Sequence, residues 1–187
     1  MRGRLLVALA ILGTMAVVLT GFHPSRAGAV QVPTSQAKQE AESSKADRLE
    51  AVAMELLSLG DVDNWEQAAE LLERSARLRP EANLSRATSL KIAASLYNWT
   101  GATAHARDLL QEAAERAQEL GALSFAANTF LDAAVLSAEL SMGRHTIAAT
   151  QMAERLAASP EMPPNEREMI KARIEGLNLP LRLAEIM

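Results

Sequence analysis

Apolar residues recur at helical spacing through most of the chain, with polar residues on the intervening faces. Leu49, Val52, Ala53 and Leu56 stand at i, i+3, i+4 and i+7, which places them on one stripe of a helix predicted from about Lys38 to Leu59. The same spacing joins Ala68, Leu71, Leu72 and Ser75 in a second helix, for which Asn64 is the expected cap and Gln67 its capping-box partner. A third helix over about 83–99 carries Leu90, Ala93, Ala94 and Tyr97. A fourth, over 102–120, carries Ala106, Leu109, Leu110, Ala113 and Ala117. Ala127, Phe130, Leu131, Ala134 and Ala138 mark a fifth over 122–142, and Ala149, Met152, Ala153 and Leu156 a sixth over 144–158. A last helix from Asn165 to about Glu175 shows Ile170, Ile174 and Leu177.

The breakers agree with this division. Past residue 36, prolines stand only at 80, 160, 163, 164 and 180, outside the predicted helices. Gly60, Gly101, Gly121, Gly143 and Gly176 each stand where an apolar period stops, as helix-ending glycines do. The connections are a few residues long, so consecutive helices must run antiparallel. The expected fold is all-α, an antiparallel helix-hairpin stack of about three hairpins and a closing helix over residues 38–177, with a tail at 178–187. Glu70/Arg74, Glu73/Arg77 and Glu112/Arg116 are i, i+4 pairs expected on solvated outer faces.

The N-terminus has a different character. Arg2 and Arg4 precede an uncharged run from Leu5 to Phe22, and Ala27-Gly28-Ala29 offers small residues after it. A charged start, an apolar stretch and an A-x-A site make a secretory signal. The run of 18 residues is also close to the minimum for a membrane span. Residues 1–29 are therefore read as a cleaved signal or a retained membrane anchor, and 30–37 as a linker. Both readings keep the arginines in the cytoplasm and place the helical domain outside the membrane, as a periplasmic, secreted or anchored protein.

Composition narrows the chemistry. Hydrophobic residues make up 49% and aromatics 3%, so the core is built from alanine and leucine and strands are disfavoured. The chain has no cysteine, which rules out disulfides and thiolate metal sites. Three of its 19 basic residues and none of its 23 acidic residues lie in 1–29. The remainder has 16 against 23, a formal charge of −7 instead of −4. An acidic domain has no attraction for phosphate backbones, so no nucleic-acid partner is expected.

Gly60-Asp61, Trp65-Glu66-Gln67-Ala68-Ala69-Glu70-Leu71-Leu72, Ser75 and Arg77-Leu78-Arg79-Pro80 stand in an order that resembles the second half of a tetratricopeptide repeat. Val62-Asp63-Asn64 are extra residues in its turn. Leu49, Val52, Ala53 and Leu56 match the first half. Leu90, Ala94, Tyr97, Gly101, Ala106, Leu110 and Ala113 resemble a second unit. Ala134, Ala138 and Gly143 resemble a weaker third, in which Thr146 and Gln151 replace expected apolar residues. The last helix resembles the capping helix of such arrays. The resemblance implies a concave face lined by the first helix of each pair. Carried over position by position, that face includes Glu50, Met54, Leu57, Lys91, Ser95, Asn98, Trp99 and Asp132. Asn98 can bond an extended peptide backbone and Trp99 can anchor a ligand. Packing within the turn is the competing role for Trp99, and core packing is the commoner role for Met54. Trp65 matches a structural turn aromatic.

Catalytic signals are lacking. His23, His105 and His145 do not pair at i, i+4, and there is no G-x-S-x-G, glycine-rich phosphate loop or H-E-x-x-H. His105 has Asp108 and Glu112 on a nearby helical face, and its expected role is that of an exposed helical histidine. The chain is read as a non-enzyme with no cofactor and no metal. Its leading function is an exported protein-protein interaction module that takes a peptide or protein in its groove. The alternatives are a membrane-anchored accessory subunit, with membrane contact through residues 5–22, and an enzyme whose site carries no motif.

Overall fold

The structure is a computed structural model that describes residues 35–80 and 82–186. The expected signal or anchor at 1–29 and most of the expected linker lie outside the described residues. Seven α-helices follow one another: α1 (Ser35–Ser58), α2 (Val62–Leu78), α3 (Leu84–Trp99), α4 (Thr103–Glu119), α5 (Leu123–Glu139), α6 (Gly143–Ala157) and α7 (Pro164–Ile186). No strand occurs among the described residues, and none of the described helices is long and apolar enough to cross a membrane. Each helix from α1 to α6 packs against the next, and α7 packs on α6 and α5. The architecture is all-α, with adjacent helices in a stack.

Three turns use one geometry at a spacing of 20 residues. Gly101, Gly121 and Ser141 take φ values of 91°, 73° and 57°, in the left-handed region. Behind each, a six-residue ring closes the helix end. The N–H of Ala102 donates to the Tyr97 carbonyl at 2.7 Å, Ala122 to Ala117 at 2.9 Å, and Met142 to Ser137 at 2.8 Å. These are Schellman closures, which satisfy carbonyls that a helix end otherwise leaves bare. Contrary to expectation, Gly143 is not the residue that ends α5. Ser141 holds the left-handed position and Gly143 opens α6. Gly176 does not end a helix either, because α7 continues through it and through Pro180 to Ile186. One glycine costs a helix about 1 kcal/mol, too little to stop it, whereas Pro180 removes a backbone donor and crowds the carbonyl four residues back, at about 3 kcal/mol or more.

Two further boundaries move. Asp61, not Asn64, caps α2, accepting from the Asp63 N–H at 3.3 Å. Val62, Asp63 and Asn64, read as turn insertions, form the first turn of α2. Asp61 is the first good capping residue after Gly60, and the helix starts directly behind it. Ser35 to Ala37, read as linker, begin α1.

The core is mostly alanine. Ala53, Ala68, Ala69, Ala76, Ala87, Ala93, Ala94, Ala106, Ala113, Ala114, Ala117, Ala126 and Ala127 are 0% exposed. Phe130, Leu90 and Leu131 are the largest fully buried side chains between them. Small side chains let helix axes approach closely. Thr146, at a position where an apolar residue was expected, is buried and returns its hydroxyl to the Met142 carbonyl at 3.3 Å. Gln151 is exposed. On α1 the expected stripe is only partly covered. Ala53 is buried, Leu49 and Leu56 are half-buried, and Val52 is 48% exposed.

Candidate peptide-binding face

Side chains tie the odd-numbered helices to one another. The Ser89 hydroxyl of α3 donates to Glu50 of α1. Lys91 of α3 places Nζ 2.9 Å from Oδ2 of Asp132 on α5. Arg173 of α7 donates to Asp132 and, at 3.2 Å, to the Asn128 backbone carbonyl. These bonds link α1 to α3, α3 to α5, and α5 to the middle of α7.

Two depressions lie between these helices. The first, about 200 Å³, lies between α1 and α3 and includes Glu50, Met54, Thr88, Ser89 and Ile92. The second, about 230 Å³, lies between α3 and α5. Its floor is Ala94, Leu110 and Leu136, all buried, and its rim is Ser95, Asn98, Trp99, Asp132 and Arg173. Small-molecule sites run to roughly 300–1,000 Å³, so each depression suits a side chain rather than a cofactor.

The expected residues divide by how they are engaged. Glu50 is tied into a part-buried network. It accepts from Arg79 Nη2 at 2.7 Å and from the Ser75 hydroxyl at 3.3 Å, while Arg79 also donates to Asp47 at 2.9 Å. The Arg79 side chain is 8% exposed. Burial works against its charge, but the bonds to Glu50 and Asp47 outweigh burial and raise its pKa. Lys91 is held by Asp132 and lies 5.1 Å from the Phe125 ring centroid. Asp132 is shared between Lys91 and Arg173. These three act as pins between helices. Leu57, carried onto the same face, packs half-buried against the core.

Met54, Ser95, Asn98 and Trp99 are accessible. Met54 is 57% exposed, so core packing is not its role. The Ser95 hydroxyl donates to the Lys91 carbonyl at 3.1 Å and keeps its lone pairs free to accept. No side-chain hydrogen bond engages the Asn98 amide among the described residues. Trp99 is 66% exposed and rests against Trp65, with ring centroids 5.4 Å apart at 52°. The half-buried Trp65 supports the exposed ring from behind. This arrangement offers a peptide amide one donor and one acceptor at Asn98, with an aromatic surface beside an apolar floor.

Sequence reasoning missed Arg173, Ser89 and Arg79. Each acts through a partner at least 29 residues away, a separation that leaves no periodic signal. On the other side of the stack, His105 lies 2.9 Å from Glu73 and meets the Tyr97 ring edge-on at 4.7 Å. Its side chain is 47% exposed on α4, as expected of it, and bonds neither Asp108 nor Glu112. Glu112 instead joins α4 to α2 and α3, accepting from Arg77 at 2.6 Å and Arg86 at 3.1 Å. Arg77 also meets Glu73 at 3.4 Å, in the expected i, i+4 form. Among the described residues, no group of three or more His, Asp or Glu side chains is placed to hold a metal ion. No family model matches the chain, and the search of curated proteins gives no match.

Proposed function

We propose that the chain is an exported protein-binding module of the tetratricopeptide type, which receives an extended peptide or protein segment along the face formed by α1, α3 and α5. The observation that carries this reading is the depression between α3 and α5, where the unengaged Asn98 amide and the 66% exposed Trp99 ring stand over an apolar floor. A ligand side chain fills the floor, its backbone bonds Asn98, and Trp99 covers it. Tryptophan is enriched among interface hot spots, and truncating one costs about 2 kcal/mol or more, roughly 30-fold in affinity.

The test is site-specific photo-crosslinking in the expressing cell with the crosslinker at Ser95, and a control with it at Ala104 on α4. A discrete adduct is expected from Ser95 alone, strongly reduced by Trp99→Ala and by Asn98→Ala. Trp99 is exposed and Asn98 half-buried, outside the core, and circular dichroism checks that each variant keeps its helicity. Equal adduct yields from Ser95 and Ala104, or yields unchanged by Trp99→Ala, reject the reading. Export is tested separately by mass spectrometry of the native N-terminus, where a cut at Ala29–Val30 gives the soluble form and an intact start the anchored one.

A further inference from the structure

Among the described residues, the stack is closed at one end and open at the other. At the C-terminal end α7 packs on α5 and α6, buries Ile170 and Ile174, and leaves Glu168, Lys171 and Glu175 exposed. At the N-terminal end, Glu50 of α1 reaches Ser89 of α3. The side of α1 about half a turn from Glu50 therefore points out of the stack. Val52 stands on that side, 48% exposed, Leu59 follows just past the end of α1, 66% exposed, and Leu49 and Leu56 run half-buried along the same edge. Leu49, Val52, Leu56 and Leu59 repeat with alternating steps of three and four, the spacing of a seam that packs against another helix. Repeat stacks need a polar outer surface on their terminal units, and α1 presents an apolar one.

The charges at the two ends of this seam select its occupant. Lys45 and Arg48 precede it, and Asp61 and Asp63 follow it. All four are exposed, and no ion pair engages any of them among the described residues. An antiparallel second α1 sets Leu49 against Leu59 and Val52 against Leu56. It also brings Lys45 and Arg48 of each copy to the Asp61 and Asp63 end of the other. A parallel copy would set like charges together. The pattern is complementary to itself under a two-fold rotation, as an isologous interface requires. We infer that the open N-terminal end of the stack is a homodimer interface, in which a second copy of this chain docks antiparallel along α1. This surface is separate from the peptide-binding face and does not depend on that reading.

The test is sedimentation of the full chain as the expressing cell delivers it, across a concentration series. Twice the chain mass is expected. Replacing Val52 and Leu59 together with lysine should weaken dimerisation by at least about 30-fold. Both positions are exposed, so helicity by circular dichroism should not change. Lys45→Glu should weaken it by about 10-fold, and adding Asp63→Lys to Lys45→Glu should restore most of that loss. The rescue distinguishes a second copy from any other occupant. A monomer at about 100 μM, a dimer unmoved by the double lysine variant, or a charge swap without rescue overturns the inference.

Discussion

The equivalent turns at Gly121 and Ser141 provide a paired measurement on the backbone alone. Both residues adopt left-handed φ, at 73° and 57°, and both are followed by the same ring closure. A Cβ added at Gly121 meets nothing within 4 Å, so Gly121→Ser introduces no clash. The Ser141 hydroxyl engages nothing among the described residues, so Ser141→Gly removes no bond. What remains is the conformational preference. An L-residue in this region costs about 1–2 kcal/mol, and glycine returns roughly 0.5–1 kcal/mol of it through the greater entropy of its unfolded chain. Ser141→Gly should therefore stabilise by about 0.5–1 kcal/mol, and Gly121→Ser should destabilise by the same amount. For a chain of this size that is a shift of roughly 1–4 °C in Tm. Thermal and urea melts followed by far-UV circular dichroism measure both. The double swap should return to the parent value, because distant sites add. Shifts of the same sign in the two single variants would refute the equivalence of the turns.

Further predictions concern the core and its charges. Ala94→Leu or Ala113→Leu overpacks a 0% exposed site and should cost about 1–3 kcal/mol in urea melts; an unchanged midpoint would show that helices do not meet there. Burial pushes the Glu112 carboxyl up, but bonds from Arg77 and Arg86 outweigh it and hold its pKa below the ordinary 4.5. The stability this provides is complete above pH 4.5 and is lost as pH falls through the lower folded value. Glu112→Gln should flatten that acid limb, and an identical pH profile would remove the group from the account. Tyr97 is pushed up to about 12, first by burial and then by Glu73, Glu70 and Glu66. Its contribution is complete below the ordinary 10.0 and is lost between there and about 12, so Tyr97→Phe should abolish an alkaline loss of stability in that window.

The helix order was legible because alanine and leucine at helical spacing leave one packing solution, antiparallel neighbours joined by short turns. The boundaries were less so. Asn64 and Asp61 are both good caps, and only the folded chain shows that the helix begins at the earlier one. Ser141 was missed because glycine at 143 offered the stronger left-handed signal, although the spacing of 20 from Gly101 and Gly121 pointed to 141. On the face formed by α1, α3 and α5, periodicity offered candidate residues but said nothing of their engagement. Glu50 and Asp132 are acids on the same face as Ser95 and Asn98. What separates them is Arg79, Ser89 and Arg173, supplied by distant segments.

Asp132 decides whether the polar residues of this face are ligand contacts or pins. It receives Lys91 from α3 and Arg173 from α7, so one carboxylate couples three helices. Its side chain is 29% exposed, which places the pairing between a surface ion pair worth under about 1 kcal/mol and a buried one whose disruption costs about 3–5 kcal/mol. Asp132→Asn keeps the shape but leaves two cations facing a neutral amide. A loss of about 1–2 kcal/mol is the expected result, between those limits. Arg173 is the tie from α7 to Asp132, while buried Ile170 and Ile174 and the bonds from Arg167 to the Ala157, Ser159 and Met162 carbonyls hold the rest, so the loss should concentrate around Arg173 in α7. Hydrogen exchange should then quicken in peptides from α7 while α2 keeps its protection. Adduct formation from Ser95 should persist, since Asn98 and Trp99 are untouched. Uniform exchange across the chain, together with loss of the adduct, would show that Asp132 meets the ligand directly, and the distinction between pins and contacts would fall.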